Sequence, residues 1–484
     1  MSLRSNTASG LFWTIIHMFG SQGVSFFVQL VLARLLLPEA FGMFALLQVF
    51  IAIGVNIADS GMNSSLIRTQ DLDEEDYSSV FWLCLSSSVF IYLVIFFLAP
   101  PIAKFYNLNE LTPVLRVYCL TFIVNAFASV QVTRLIKAMK FKEQLIIQLP
   151  SMLVSAIISI AMAKMGAGIW AIVFYNLFQN IIVTVQYWLK SDWKPKFMFN
   201  KRKLLGHFRF GYKLTLDNIL NAVFDNIYSI IIGKFFSTRI LGFYSRAELF
   251  QLFPSKNIAT AVEKVTYPTF VAIQDDNERL RNYYKEIFRL VVFCLTPIMV
   301  LISTIAVPFF RFVLTEKWVH MAPYFQSLTL VGILHPYMRY NINILKVKGR
   351  SDLVLKLNAI RKGLTVICIV CSIPLGLKGI ILSQNIVAIS AVFLSGMYSS
   401  KMINYSLKHQ FSDTFMVYLT SALMALVVFL FNSTFVGIPD WVRILLSIIL
   451  GGGIYLFVMK KINYSSILLL DGYAKQFLSR KNKI

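Results

Sequence analysis

Lys213, Asp217, Asn221 and Asp225 recur at every fourth position of an otherwise apolar stretch. On a helix that spacing makes one slowly drifting polar stripe. Carboxylates held in a low dielectric can keep a proton near neutral pH, and two of them could equally help to hold Na⁺. The competing reading is an internal Lys213–Asp217 pair with hydrogen bonds to neighbouring helices. Lys256 stands near the middle of another apolar run, too deep for easy snorkelling, so it either faces a polar cleft or pairs with a buried carboxylate. Arg34 and Lys234 lie near the ends of their runs, where reaching the headgroups competes with lining a cleft. Arg339 follows His335-Pro336, a kink signal, and Arg361 opens a further run beside Lys362. Glu263 and Lys264 could form a gate pair, and Asp59, at the end of the second run, is similar. His17 could join a proton relay.

Several other patterns carry no chemistry. Cys368 and Cys371 form a CxxC inside an apolar helix with no further ligand at metal spacing, which reads as packing. Gly451-Gly452-Gly453 suits close helix approach rather than phosphate binding. The acidic run DLDEEDY, Asp71 to Tyr77, contains an Asp-x-Asp but no surrounding nucleotide-binding domain, and it reads as a solvated loop capping the next helix. With no Walker motif and no nucleophile–base constellation, no catalytic residue, metal site or enzymatic activity is expected.

The elements that must position these residues are membrane helices. Of 484 residues, 57% are hydrophobic and only 14% charged, where a soluble domain carries about a quarter charged. Apolar runs of roughly 20 residues recur along the chain, each long enough to cross about 30 Å of hydrocarbon. The expectation is an all-α integral membrane protein with about fourteen spans, among them 10–34, 41–63, 211–236, 243–270, 322–345 and 357–377. Lys and Arg on the segments expected inside outnumber those outside by roughly three to one, which puts both termini in the cytoplasm. The net charge of +23 is then mostly a coat facing anionic lipid, and no nucleic-acid partner is implied.

The chain also repeats itself. Without a gap, residues 10–42 align on 210–242, pairing His17 with Asp217, Ser21 with Asn221, Ser25 with Asp225, Arg34 with Lys234 and Gly42 with Gly242. At the same offset Asn56 stands opposite Lys256. A longer offset matches Pro113 with Pro323 and Lys140 with Arg350. This predicts two pseudo-symmetric six-helix lobes around an axis along the membrane normal, with spans one, two, seven and eight lining a cleft. The lobes are expected at 1–190 and 211–404, joined by a basic cytoplasmic linker over 191–210. Residues 405–484 add two extra spans and a basic tail.

The opening SGLFW, SQ and LARLLLPEAFG, followed by DLDEEDYSSVFWL, resembles the polysaccharide transporter (Wzx-type) family of lipid-linked oligosaccharide flippases, within the multidrug/oligosaccharidyl-lipid/polysaccharide exporter superfamily. The likeness covers most of the chain and is strongest over the first 140 residues. It implies a bacterial inner-membrane protein that carries an undecaprenyl-pyrophosphate-linked oligosaccharide to the outer leaflet by alternating access, for O-antigen, capsule or exopolysaccharide synthesis. A polysaccharide polymerase and a chain-length regulator are the implied protein partners, and membrane lipids surround the chain. Lys256, Arg34, Lys234, Arg339 and Arg361 would meet the pyrophosphate and glycan. Asp217, Asp225, His17 and Glu263 would serve ion coupling or gating. No organic cofactor is expected, only a coupling H⁺ or Na⁺. A cation-coupled multidrug antiporter would instead have twelve spans and a more acidic or aromatic cleft. A polysaccharide polymerase or ligase would need a large outer loop bearing Arg and His, and no outer segment is long enough.

Overall fold

The structure is a computed structural model that describes residues 20–435, 437–462 and 464. All regular structure among them is helical. The first part runs α1 (residues 20–35), α2 (Pro38–Asp59), α3 (Met62–Arg68), α4 (Glu74–Tyr106), α5 (Leu111–Tyr118), α6 (Leu120–Lys137), α7 (Phe141–Lys164), α8 (Ile169–Lys190), α9 (Lys201–Asp225) and α10 (Ile227–Phe235). It continues with α11 (Thr238–Ala272), α12 (Asn277–Thr304), α13 (Ala306–Leu314), α14 (Ala322–Val347), α15 (Ser351–Ser372), α16 (Gly376–Ile403), α17 (Leu407–Thr434) and α18 (Asp440–Lys461).

Nine stretches of the described residues are long and apolar enough to cross a membrane, and one of them, Ser351–Ile403, holds both α15 and α16. The helices α9 with α10, α11 and α14 occupy further expected spans and carry most of the charged side chains read above as functional. Large apolar residues such as Phe90, Phe97, Ile157, Leu189, Phe429 and Phe457 point outward. Exposed patches of that extent suit hydrocarbon rather than water. The chain is a multi-pass membrane protein.

The described chain divides into two compact units, Met1–Ser245 and Arg246–Ile484, so the division falls within α11, beyond the basic linker. In the first unit the acidic loop caps α4. Asp73 accepts the Asp76 backbone N–H at 3.0 Å, and Asp76 accepts that of Asp73 at 3.1 Å. Such a reciprocal box satisfies two otherwise orphaned donors. The same loop also grips the basic linker. Lys203 reaches Asp73 and Glu75, Lys196 reaches Glu74, and the Trp82 indole stacks on Phe197.

The seventh span therefore differs from its expected limits. Helix α9 begins at Lys201, because Asn200 caps it by accepting the N–H groups of Arg202 and Lys203. Carboxylates across the way offset the charge of its first turns. It breaks at Asn226, whose amide donates to Ala222 O at 2.8 Å and competes with the helical ladder. Helix α9 packs closely on the α2–α3 turn. A methyl group at Gly61 would stand 2.5 Å from Gly211 O, so only glycine permits that approach.

The aligned repeat has a physical counterpart where α2 and α11 begin. A methyl at Gly42 would overlap Thr238 O, and one at Gly242 would overlap Pro38 O. Glu39 meets Arg239 at 3.6 Å. Glu39 and Arg239 are matched positions, and the two glycine contacts mirror each other, Gly42 on Thr238 and Gly242 on Pro38.

In the second unit, α17 and α18 are built into the core rather than appended to it. Tyr337 bonds Thr414 at 2.6 Å, Asn341 bonds Gln410, and Tyr455 donates to Phe293 O at 2.8 Å. Asp413 on α17 pairs with Lys285 and Arg289 of α12 and accepts from Tyr405. Fully buried Tyr284, Phe288 and Tyr337 fill the space between these helices.

Candidate functional site

The second unit collects three of the cations singled out from the sequence. Arg339 on α14 meets Glu263 on α11, with its Nε and a terminal nitrogen both 2.6 Å from Glu263 Oε2. Glu263 is thus paired with Arg339 across helices and not with its neighbour Lys264. Arg361 on α15 reaches the Met338 sulfur at 3.5 Å, a weak acceptor for a guanidinium. Lys256 on α11 is exposed and has no ion pair among the described residues. Lys256, Arg339 and Arg361 are all near enough to His335 to act on it electrostatically. One carboxylate against three cations leaves positive charge for an anionic ligand. Prolines lie inside both α11 and α14, at Pro254 and Pro336, close to Lys256 and His335. Each removes a ladder donor and re-aims the next turn.

The remaining sequence expectations fall elsewhere. Lys234 donates to Phe105 O at 2.6 Å and lies 4.0 Å from the centre of the Phe105 ring, one residue from the end of α4. There a cation satisfies a terminal carbonyl and complements the helix dipole. Arg34 is exposed on α1. On α9, Lys213 and Asp217 do not pair; Asp217 accepts from Asn221 at 3.0 Å, and Asp225 is exposed at the end of the helix. His17 lies outside the described residues.

Sequence reading took the acidic run for a solvated cap and passed over His207. That side chain is buried between Ser65 Oγ at 2.8 Å and Asp76 Oδ1 at 3.3 Å. The only sequence signal was a histidine one helical turn from Lys203. Outside the membrane, the Lys203 ammonium and then the Asp76 N–H hold the Asp73 carboxyl well below the usual carboxylate range, while Asp73 in turn raises Lys203. Asp413 was also missed; a single acid at the start of an apolar helix gives no hint of its partners.

Fold and site together define a polytopic helical membrane protein with an internal repeat and an unbalanced set of cations. The family model described as "Polysaccharide biosynthesis protein" matches residues 31–323. The chain belongs to that family. It is 25% identical over 373 residues to the lipopolysaccharide biosynthesis protein WzxC of Escherichia coli (strain K12), covering 76% of each chain. It is 26% identical to the succinoglycan biosynthesis transport protein ExoT of Rhizobium meliloti (strain 1021), over 67% of this chain and 66% of that one. Its fold is that of the lipid II flippase MurJ in an inward closed conformation, with a TM-score of 0.74, 17% identity, and coverage of 94% of this chain and 99% of that one.

Proposed function

We propose that this protein is a flippase that moves an undecaprenyl-pyrophosphate-linked oligosaccharide from the inner to the outer leaflet of a bacterial inner membrane. Surface polysaccharide synthesis consumes the product, by way of a polymerase and its chain-length regulator. Both termini face the cytoplasm, as the Lys/Arg asymmetry favours. The reading rests on family membership, on a relative named as a transport protein, and on the fold shared with a lipid II flippase.

The observation that carries the chemistry is the imbalance around His335: Lys256, Arg339 and Arg361 against Glu263 alone. A pyrophosphate in a membrane interior needs cations and donors, since each unsatisfied polar group there costs several kcal/mol. Among the described residues Lys256 and Arg361 have no carboxylate to neutralise them. The hydrocarbon tail can stay in lipid while the headgroup passes. An H⁺ or Na⁺ gradient supplies the driving force, with Asp217 and Asp225 as exposed carriers on α9.

The test is reconstitution. Proteoliposomes carrying the protein and a lipid-linked oligosaccharide should show time-dependent loss of glycan from the loading face, read by an impermeant glycosidase. Lys256→Arg should retain part of that rate, and Lys256→Glu should not. Asp217→Asn and Asp225→Asn should weaken gradient-driven transport with normal protein abundance. Translocation no faster than in protein-free vesicles would sink the proposal.

A further inference from the structure

Asn341 of α14 is fully buried where α12, α16 and α17 converge. Its oxygen accepts from the Ser399 hydroxyl of α16 at 2.8 Å and the Tyr284 hydroxyl of α12 at 2.9 Å. The same oxygen accepts from the Gln410 amide of α17 at 3.1 Å, and the Asn341 amide donates back to Gln410 Oε1 at 3.2 Å. One turn earlier, the Tyr337 hydroxyl lies 2.6 Å from Thr414 Oγ1 and accepts from the Tyr418 hydroxyl at 2.7 Å, both on α17. Helix α17 is itself held on α12, where Asp413 pairs with Lys285 at 3.0 Å and with Arg289. Buried polar groups are costly to leave unpaired, so such a network strongly favours one arrangement of its helices.

Tyr337 and Asn341 share one face of α14. His335 and Arg339 also lie one turn apart, and at about 100° per residue they stand about 200° round the helix from Tyr337 and Asn341. The face bound by α17 is thus opposite the face that carries the cations. Pro336 lies inside the helix and has no N–H for Gly332 O, so the backbone ladder is interrupted where the turn bearing Arg339 begins. With that bond missing, the side-chain anchors on the far face decide how the turn is rotated. The effect on Arg339 is large for a small rotation. At roughly 6 Å from the helix axis, a turn of about 20° moves a group by about 2 Å, enough to break a hydrogen bond.

We propose that Asn341, clamped by Gln410, is a positioning residue for the anion site: it sets the rotation of α14 so that Arg339 meets the pyrophosphate headgroup. Arg339 contacts the ligand, whereas Asn341 and Gln410 act through it from the opposite side of the helix. Helix α17 lies in residues 405–484, which have no copy in the repeat, and this gives that addition a task at the ligand site. The identity of the ligand rests on the transport reading above; the setting of α14 does not.

The experiment measures the affinity of the purified full-length protein for undecaprenyl pyrophosphate, well below the unfolding temperature of each variant. Gln410→Met keeps the length of the side chain but removes its amide. It should weaken binding about tenfold, the value of one misplaced charge-assisted contact. In an Arg339→Gln background the same change should cost nothing further, because the residue through which it acts is gone. Exchanging the two side chains, Asn341→Gln with Gln410→Asn, restores a pair of amides in reversed order. The exchange should recover most of the affinity that either single change loses. A second readout follows α14 without any ligand. With the five native cysteines replaced, Arg339→Cys and Glu263→Cys should be bridged readily by a short bis-maleimide, and slowly once Gln410→Met is added. Undiminished affinity in Gln410→Met overturns the proposal. So does an equal tenfold loss in the Arg339→Gln background, which would mark a general loosening of the second unit. Bridging indifferent to Gln410→Met overturns it as well. A wild type that binds no undecaprenyl pyrophosphate, with bridging still slowed by Gln410→Met, would count against the transport reading and support the setting of α14.

Discussion

At the start of α4, Asp73, Glu74, Glu75 and Asp76 are met by Lys196, Lys203 and His207, whereas around His335 the cations Lys256, Arg339 and Arg361 share the one carboxylate of Glu263. Both regions are charged, but in the first every acid has a protein partner. Such a set fixes the linker and the start of α9. In the second, Lys256 and Arg361 lack counter-ions among the described residues. A membrane protein keeps such cations at a cost in desolvation, which makes the second region the place for a ligand and the first a fastening.

Charge reversal separates the two most sharply. Arg361→Glu should lower oligosaccharide binding at least ten- to a hundredfold, the range of about 1.5–3 kcal/mol for a charge-assisted contact, with normal membrane abundance. Equal transport by Arg361→Glu and wild type at matched abundance would erase the distinction. In the fastening, His207→Ala leaves Asp76 and Ser65 without their buried partner and should cost about 1–3 kcal/mol of stability. The check is a lower Tm, with substrate affinity unchanged.

Smaller effects sharpen the contrast. Glu263→Gln should lower stability by only about 1 kcal/mol, since the Arg339 side chain is about a third exposed and screened by solvent. It should leave pyrophosphate affinity equal or higher, and a fall in affinity would make Glu263 part of the ligand site. The Asp73–Lys203 pair should be indifferent to pH between about 5 and 9. The Asp73 carboxyl is depressed, so its contribution is complete above the usual carboxylate range and is lost only as pH falls through the lowered value. Lys203 is raised, so its contribution is complete below the usual ammonium range and is lost only above it. The Tm difference between wild type and Lys203→Met should accordingly stay flat across that window. Asp217→Asn, on an exposed side chain that accepts from Asn221, should shift stability by less than about 0.5 kcal/mol.

That the chain is helical and crosses a membrane is a property of composition and period, so the amino-acid order alone determined it. Twenty apolar residues in succession have few alternatives to a spanning helix. The match of Gly42 with Gly242 was visible too, as identical residues at a fixed offset in the sequence. The cap at Asp73 was equally legible, because it involves residues three apart. Partners distant in the chain were not. That Glu263 takes Arg339 rather than Lys264, that Lys234 closes the end of α4, and that Asp413 draws α17 against α12 depend on which helix faces stand next to one another. Hydrophobic period fixes which face of a helix is apolar, not which neighbour it meets, so every long-range pairing of charge waited on the packing.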